Sequence, residues 1–182
     1  MTALPDIPRL YTALAECLSV LLVTPALAPR FSKAVTVGVT LLWAVVLSAF
    51  LGLTGNVPGR FWIPCMVTAI GLSYLYLWGV WSITLLEAGY HCARAFILAE
   101  LAASVEWQLH CALWPARSPW ELLSLLLLAL VYGALFGGMS YLLHIRPQPA
   151  GHLQISGSAA LTAVMLALTA FAVSNLGFLP GS

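Results

Sequence analysis

Charged residues are scarce in this chain of 182 residues. Asp, Glu, Lys and Arg together make up 7% of it, whereas a soluble globular domain usually carries about 25%. Seven basic and six acidic residues give a net charge of +1, which excludes the strongly basic surface that nucleic-acid binding needs. Hydrophobic residues account for 62% of the chain. The composition is typical of an integral membrane protein, so we expect the lipid bilayer as a partner and no nucleic acid.

Motifs for phosphate binding and catalysis are also missing. The sequence contains no GxxxxGK, GxGxxG, GxSxG or HExxH pattern, so it predicts no catalytic residues. The four cysteines form no CxxC pair and lie in or beside apolar runs, which is typical of small buried hydrophobes. The pairs His91-Cys92 and His110-Cys111 would lie about 28 Å apart along a helix, too far for one metal ion. We therefore expect neither a metal nor a cofactor.

Six long apolar runs predict an all-α fold. A helix needs roughly 20 apolar residues to cross a bilayer core of about 30 Å, and a β-barrel would need alternating polarity that residues 122–130 lack. We predict a polytopic transmembrane bundle of about six helices, forming a single domain over residues 1–182 without an extramembrane domain. The predicted helices cover residues 10–28, 34–53, 61–86, 88–114, 120–143 and 158–176.

Cleavage and orientation remain open at this level. Ala26-Leu27-Ala28 resembles the cleavage site of a signal peptide, but Glu16 interrupts the apolar run before it, so we favour a retained helix. Orientation normally follows the excess of Lys and Arg in cytoplasmic loops. With six crossings both sides receive equal numbers, namely Arg9, Arg60 and Arg117 on one side and Arg30, Lys33 and Arg146 on the other.

The fourth run carries an unusual number of charges. A charge at mid-helix costs about 2.5–3.5 kcal/mol, whereas a large apolar residue returns about 0.3–0.6 kcal/mol, so the charges roughly cancel the apolar gain. Such a helix must be held by neighbouring helices, line a wet cavity or lie partly at the interface. Together with polar residues of the first and last runs, its side chains are the candidates for a ligand or cavity site: Glu16, Glu87, His91, Arg94, Glu100, Glu106, Trp107 and Asn175.

These polar residues allow a structural and a functional interpretation. At about 100° per residue, Glu87, His91 and Arg94 share one helix face, and Glu100 lies on roughly the opposite face. The residues can simply pair between helices, or they can form a cavity or relay, since ionisable groups inside membranes mark functional sites. Because Glu100 has no cation three or four residues away, we expect its partner to come from another helix.

Three glycines of the fifth run form a candidate helix-packing face. Gly133 and Gly137 make a GxxxG motif, and Gly138 follows it. Small residues four positions apart allow close approach of two helix backbones. The partner is either another helix of this chain, which we favour, or a second copy in a homodimer.

Two stretches resemble a known family of membrane sensors. RAFILAELAASVEWQL at residues 94–109 and FAVSNL at residues 171–176, followed by Phe178, resemble segments in the N-terminal membrane input region of bacterial sensor histidine kinases. These are GHKL-type kinases akin to the accessory-gene-regulator peptide receptors. The spacing of helices between the two stretches is similar as well.

The resemblance implies a membrane-embedded signal-input domain of a two-component system in the bacterial plasma membrane. It implies an unknown signal ligand, and a response regulator that is reached only through a catalytic kinase part absent from this chain. The resemblance assigns no established ligand role to Arg94, Glu100, Glu106, Trp107 or Asn175. The alternative hypothesis is a small stand-alone membrane transporter or scaffold protein. Both hypotheses predict that the chain alone neither hydrolyses ATP nor phosphorylates itself.

Overall fold

The computed structural model describes residues 7–55, 61–114, 121–145 and 157–175, and these ranges are almost entirely helical. Within them no β-strand occurs, and one isolated β-bridge joins Pro29 and Trp81. The all-α prediction is therefore confirmed. The six helices are α1 (Arg9–Val23), α2 (Lys33–Leu53), α3 (Trp62–Val80), α4 (Leu85–Leu113), α5 (Glu121–Ile145) and α6 (Gly157–Asn175).

Four of the helices are long and apolar enough to cross a membrane. The candidate spans are Arg9–Ala26, Lys33–Leu53, Ile63–Val80 and Leu122–His144. Helix α4 is long but heavily charged, whereas α6 is apolar over Gly157–Ala167. The outer surface agrees with a lipid environment because α2 and α5 expose rows of large apolar side chains, such as Leu41, Leu42, Leu125 and Leu126.

Local sequence signals explain where several helices begin and end. Helix α1 follows Pro8 and passes into a short 3-10 turn at Thr24–Ala26, where Pro25 stands at the start of the turn. Helix α2 ends where the Thr54 hydroxyl donates a hydrogen bond back to the carbonyl of Phe50, at 2.8 Å. The Thr54 N–H donates to the same carbonyl at 3.0 Å, so residue 54 closes the last turn of α2 through its backbone and its side chain.

The boundary between α3 and α4 lies earlier than the sequence predicts. We expected the third helix to reach Leu86 and the fourth to begin at Ala88, but α3 ends at Val80 and α4 begins at Leu85. The apolar run continues through the break, so hydropathy does not reveal it. Thr84 and Glu87 form a capping box that starts a new helix at this point.

Helix α4 occupies the centre of the bundle. It packs against α1, α3, α5 and α6, while α2 packs against α1 and α3. One buried cluster joins α1–α4 and α6, and the other joins α1, α4 and α5. The most charged helix of the sequence is thus also the one with the most neighbours, which explains how its charges are kept from lipid.

Two connections meet at one end of the bundle. The Ser82 N–H donates to the Ala28 carbonyl at 2.8 Å, and the Arg30 N–H donates to the Val80 carbonyl at 2.9 Å. The Arg30 guanidinium also donates to the carbonyls of Trp81 (2.8 Å) and Ile83 (3.2 Å). The segment after α1 is therefore bound to the segment between α3 and α4, and α1 runs antiparallel to α4.

Candidate functional site

The N-terminal turn of α4 uses one predicted site residue as a helix cap. The Glu87 carboxylate accepts hydrogen bonds from the Thr84 N–H at 2.7 Å and from the Thr84 hydroxyl at 2.9 Å. In return, the Glu87 N–H donates to the Thr84 hydroxyl oxygen at 3.2 Å. Glu87 is buried, and these contacts give it a structural role in starting α4.

His91 and Arg94 lie one turn further along α4, next to Tyr90. The Arg94 guanidinium carbon lies 5.4 Å from the centre of the Tyr90 ring, within the range of a cation–π interaction. The His91 ring is buried and meets the same tyrosine edge-on, with ring centres 5.5 Å apart. Helix periodicity predicts Glu87, His91 and Arg94 on one face, but the Glu87 carboxylate accepts its hydrogen bonds from Thr84.

The middle of α4 places an acid against two ionisable residues of α1. Glu100 is half-buried, and the positive charge of Arg9 acts on it attractively. Glu16 lies on the same helix as Arg9, and its carboxyl group is within electrostatic range of Glu100. Two acids and one cation therefore share the α1–α4 interface, where a shift of one helix would change their interactions.

Glu16 lines a small cavity between α1, α3 and α4. The Glu16 side chain is only 5% exposed, and it shares the cavity wall with Ser73, Cys92 and mostly apolar neighbours that include Val20, Ile70 and Phe96. The volume open to the centre of a water molecule is about 10 Å³, which is about the size of one water. The Cys92 thiol donates to the Ile70 carbonyl at 3.6 Å.

Glu106 is the most completely buried acid of the described residues. Its exposed fraction is 0%, and neither carboxyl oxygen has a hydrogen-bond partner among them. Nδ1 of His110 lies 4.0 Å from Oε1 of Glu106. Trp107 stacks on the His110 ring with centres 5.1 Å apart. This second acidic position lies near Tyr11 and Tyr132, on which the Glu106 charge acts.

Tyr132 joins α5 to α1 near Glu106, and the sequence does not predict this role. Its hydroxyl donates to the carbonyl of Tyr11 at 2.9 Å, across 121 positions of the chain. Ser73 and Arg9 were likewise missed as members of the polar interface. A single Ser or Tyr within an apolar run carries no periodic signal, and the position of Arg9 beside Pro8 at the start of the first run is typical of a loop charge.

The three glycines of α5 do not pack against the described helices. A Cβ atom added at Gly133, Gly137 or Gly138 would meet nothing within 4 Å in that part of the chain, and all three residues are exposed. The face of α5 that does pack is formed by Leu128, Tyr132 and other large residues. Packing of the glycines within the chain, which the sequence favoured, is therefore absent from these helices.

The remaining predictions concern Asn175 and metals. Asn175 is the last residue of α6, but its side chain lies outside the described part, as do Leu176 and Phe178 of the second resembling stretch. Among the described residues, no three His, Cys, Asp or Glu side chains come together in a group that could hold a metal ion. No model of a known protein family matches the chain, and no curated protein or solved structure is detectably similar to it.

The arrangement as a whole provides buried acids at a helix interface rather than reactive groups around a substrate pocket. Glu16, Glu100 and Glu106 lie at successive levels of the same α1–α4 contact. Burial of a charge without a strong partner costs several kcal/mol, so these acids couple helix packing to their charge state. With this geometry, a change in helix position or in local charge changes the interactions of the three acids.

Proposed function

We propose that this chain is the membrane-embedded signal-input domain of a two-component sensor histidine kinase. It would lie in the bacterial plasma membrane as a multi-pass bundle and convert binding of a signal into a change in the packing of α1 against α4. The kinase output and its response regulator would belong to a catalytic part that these residues do not include. The observation that carries the proposal is the line of buried and half-buried ionisable groups between α1 and the central helix α4.

The packing of α4 supports a role in transmission. Because α4 contacts α1, α3, α5 and α6, a shift of this helix changes most other contacts in the bundle. The α1–α4 interface contains small side chains at Ala15, Ala99, Ala102 and Ala103, which present little steric resistance to sliding. Each position of α4 relative to α1 would place the acids at different distances from Arg9 and from one another, so the positions would differ in electrostatic energy. A small displacement at such an interface shifts a population between two packings.

The position of the resembling stretch gives further support. Residues 94–109 lie entirely within α4, and residues 171–175 lie at the end of α6, which packs against α4. The two stretches that resemble the sensor kinases thus belong to helices in mutual contact. A shared functional unit would be expected to have this arrangement.

The size of the Glu16 cavity argues against the transporter alternative. A site for a small-molecule substrate usually measures about 300–1,000 Å³, whereas this cavity admits the centre of a water molecule over only about 10 Å³. Within the described helices, this cavity is lined mostly by apolar side chains around Glu16. A sensor that changes its helix packing needs no such passage.

A chimeric kinase tests the proposal. Residues 1–182 would be fused in frame to the catalytic part of a characterised GHKL kinase, and autophosphorylation would be measured in membrane vesicles at matched expression. Glu100→Gln should change the phosphorylation rate several-fold, because the substitution removes the charge that interacts with Arg9. Gln108→Ala, at an exposed position of the same helix, should leave the rate unchanged.

Two results would contradict this function. Equal rates for the wild-type, Glu100→Gln and Gln108→Ala chimeras would show that the buried charge has no influence on output. A stop codon immediately after the codon for Ser182 in the encoding gene, with no partner kinase acting on the chain, would favour a stand-alone membrane protein. An in-frame continuation that encodes an ATP-binding domain would support the sensor.

A further inference from the structure

We propose that the cavity between α1, α3 and α4 is a binding site for one water molecule, held between a neutral Glu16 carboxyl group and the Ser73 hydroxyl. This inference is independent of the sensor function, because it concerns how the bundle accommodates a buried acid. The ligand is water, and the site is built from side chains of three helices.

The two polar side chains that line the cavity supply the first argument. Glu16 is 5% exposed and Ser73 is 4% exposed. Glu16 Oε1 and Ser73 Oγ have no hydrogen-bond partner among the described residues, and both residues line the same cavity. A buried polar group left without a partner costs about 1–3 kcal/mol. A bridging water would satisfy both atoms.

The volume supplies the second argument. About 10 Å³ is open to the centre of a water molecule, close to the minimum of about 10–15 Å³ that one water needs. A buried water also needs at least two polar partners, and the Glu16 and Ser73 oxygens provide them. A purely apolar cavity of this size would stay dry, so the two oxygens decide the occupant.

The surroundings of Glu16 favour its neutral form. A carboxylate with no strong partner in an apolar interior is far more costly than a carboxylic acid. The titratable groups around it are Cys17 on its own helix and Cys92 and Glu100 on α4. Helix α6 contains no titratable residue, and α2 contains only Lys33 at its first position. Helix α3 contributes Ser73 to the cavity wall, and Tyr132 of α5 lies within range of Glu106. Cys17, Cys92 and Glu100 are not cations, so no positive charge next to Glu16 stabilises its carboxylate. The proton therefore stays on its carboxyl group.

Hydroxyl-radical footprinting on the full chain in nanodiscs tests the water. Radicals formed by a short X-ray pulse from a trapped water oxidise the side chains beside it, even where bulk water has no access. Cys92 lines the cavity and Cys17 does not, although both are buried. We expect Cys92 to be oxidised several-fold faster than Cys17. Glu16→Leu should abolish the difference, and Ser73→Ala should reduce it.

The relative oxidation of Cys92 and Cys17 shows whether the cavity holds a water molecule. Equal oxidation of Cys92 and Cys17 in the wild type would overturn the site, as would a difference that persists in Glu16→Leu. The oxidation rate of Cys17 and the elution volume of each variant control for folding, and Ser73→Ala provides a second test if Glu16→Leu does not fold.

Infrared spectroscopy tests the proton. At neutral pH the difference spectrum between wild type and Glu16→Gln should contain the carbonyl stretch of a protonated carboxylic acid. Carboxylate bands in its place would overturn the neutral form. A sodium-specific rise in melting temperature that Glu16→Gln removes would identify a bound cation in place of water and would also overturn the proposal.

Discussion

Tyr132 links α5 to α1 through a single hydrogen bond. Its hydroxyl donates to the Tyr11 carbonyl at 2.9 Å, and its ring is buried against Phe136 with centres 5.6 Å apart. Tyr132→Phe keeps the ring and removes the donor, so we expect a loss of about 0.5–1.5 kcal/mol in the free energy of unfolding. Reversible unfolding in mixed detergent micelles measures it.

Tyr141→Phe is the matched control for this prediction. Tyr141 lies on the same helix but is 65% exposed, so its hydroxyl loses little when removed. A loss in Tyr132→Phe no larger than in Tyr141→Phe would show that the contact with α1 contributes nothing to stability.

Glu106 is expected to reduce the stability of the bundle. Its carboxyl oxygens lack hydrogen-bond partners within the described chain, and such a group costs about 1–3 kcal/mol. Glu106→Met replaces it with an apolar side chain of similar length. We expect the free energy of unfolding to rise by about 1 kcal/mol or more, measured by the same unfolding assay.

Gln108→Met tests whether this gain comes from burial. Gln108 is exposed on the same helix, so the equivalent change there should have a small effect. A clear loss of stability in Glu106→Met would mean that the carboxyl group makes a favourable contact, and it would contradict the prediction. A gain would mean that the acid is retained at a cost, as expected of a functional group.

At the scale of elements, α5 shows how a sequence motif and its packing can differ. The pattern of Gly133 and Gly137 predicts a close helix contact, but both residues are exposed with open space around them. Glycine in mid-helix costs roughly 0.5–1 kcal/mol relative to alanine. Gly133→Ala should therefore leave the monomer's melting temperature unchanged or raise it.

Gly55 supplies the contrasting case for this test. A Cβ atom at Gly55 would lie 3.1 Å from Cγ of Arg9, so Gly55→Ala should not stabilise the protein. The measurement is thermal unfolding combined with the molecular mass in detergent from light scattering. A lower melting temperature for Gly133→Ala, together with loss of a dimer, would contradict an unoccupied glycine face.

Helix α4 shows why helix existence is easier to predict than helix boundaries. Its 29 residues extend about 43 Å at 1.5 Å per residue, more than a bilayer core of about 30 Å. The sequence indicated a helix here from hydropathy alone. The start at Leu85 depends instead on the Thr84–Glu87 capping box, a short-range signal within an uninterrupted apolar stretch.

For the whole molecule, the paired connections predict the membrane topology. Hydrogen bonds join residues 28–30 to residues 80–83 at one end of the bundle, and α2 extends about 32 Å from it, enough to cross a bilayer core. In a variant with its four cysteines changed to alanine, Ser32→Cys and Ser82→Cys should react with an impermeant maleimide from the same side. Thr54→Cys and Leu113→Cys should react from the opposite side.

Intact and permeabilised cells distinguish the two sides in this labelling. A label on Ser32→Cys and Thr54→Cys from the same side would contradict a spanning α2. A label on Ser32→Cys and Ser82→Cys from opposite sides would contradict the joined connections. Either result would mean that the helices cross the membrane differently from the candidate spans.

The sequence by itself determined the helical class, the number of helices and the presence of too many charges in the fourth segment. Each follows from a local quantity, because a bilayer admits only segments whose backbone groups are satisfied internally and whose length matches its thickness. The candidates Glu16, Glu100 and Glu106 followed from the same reasoning, since an acid in an apolar run is conspicuous at any position.

Only the tertiary structure decided which helices surround these acids. The antiparallel contact of α1 with α4 brings Arg9 within electrostatic range of Glu100. Helix α3 places Ser73 in the cavity wall beside Glu16, and α5 places Tyr132 within range of the Glu106 charge. Such contacts depend on the packing of small residues between helices that are distant in the chain. Apolar runs of similar hydropathy can be arranged around one another in many ways, and close packing of side chains selects among them.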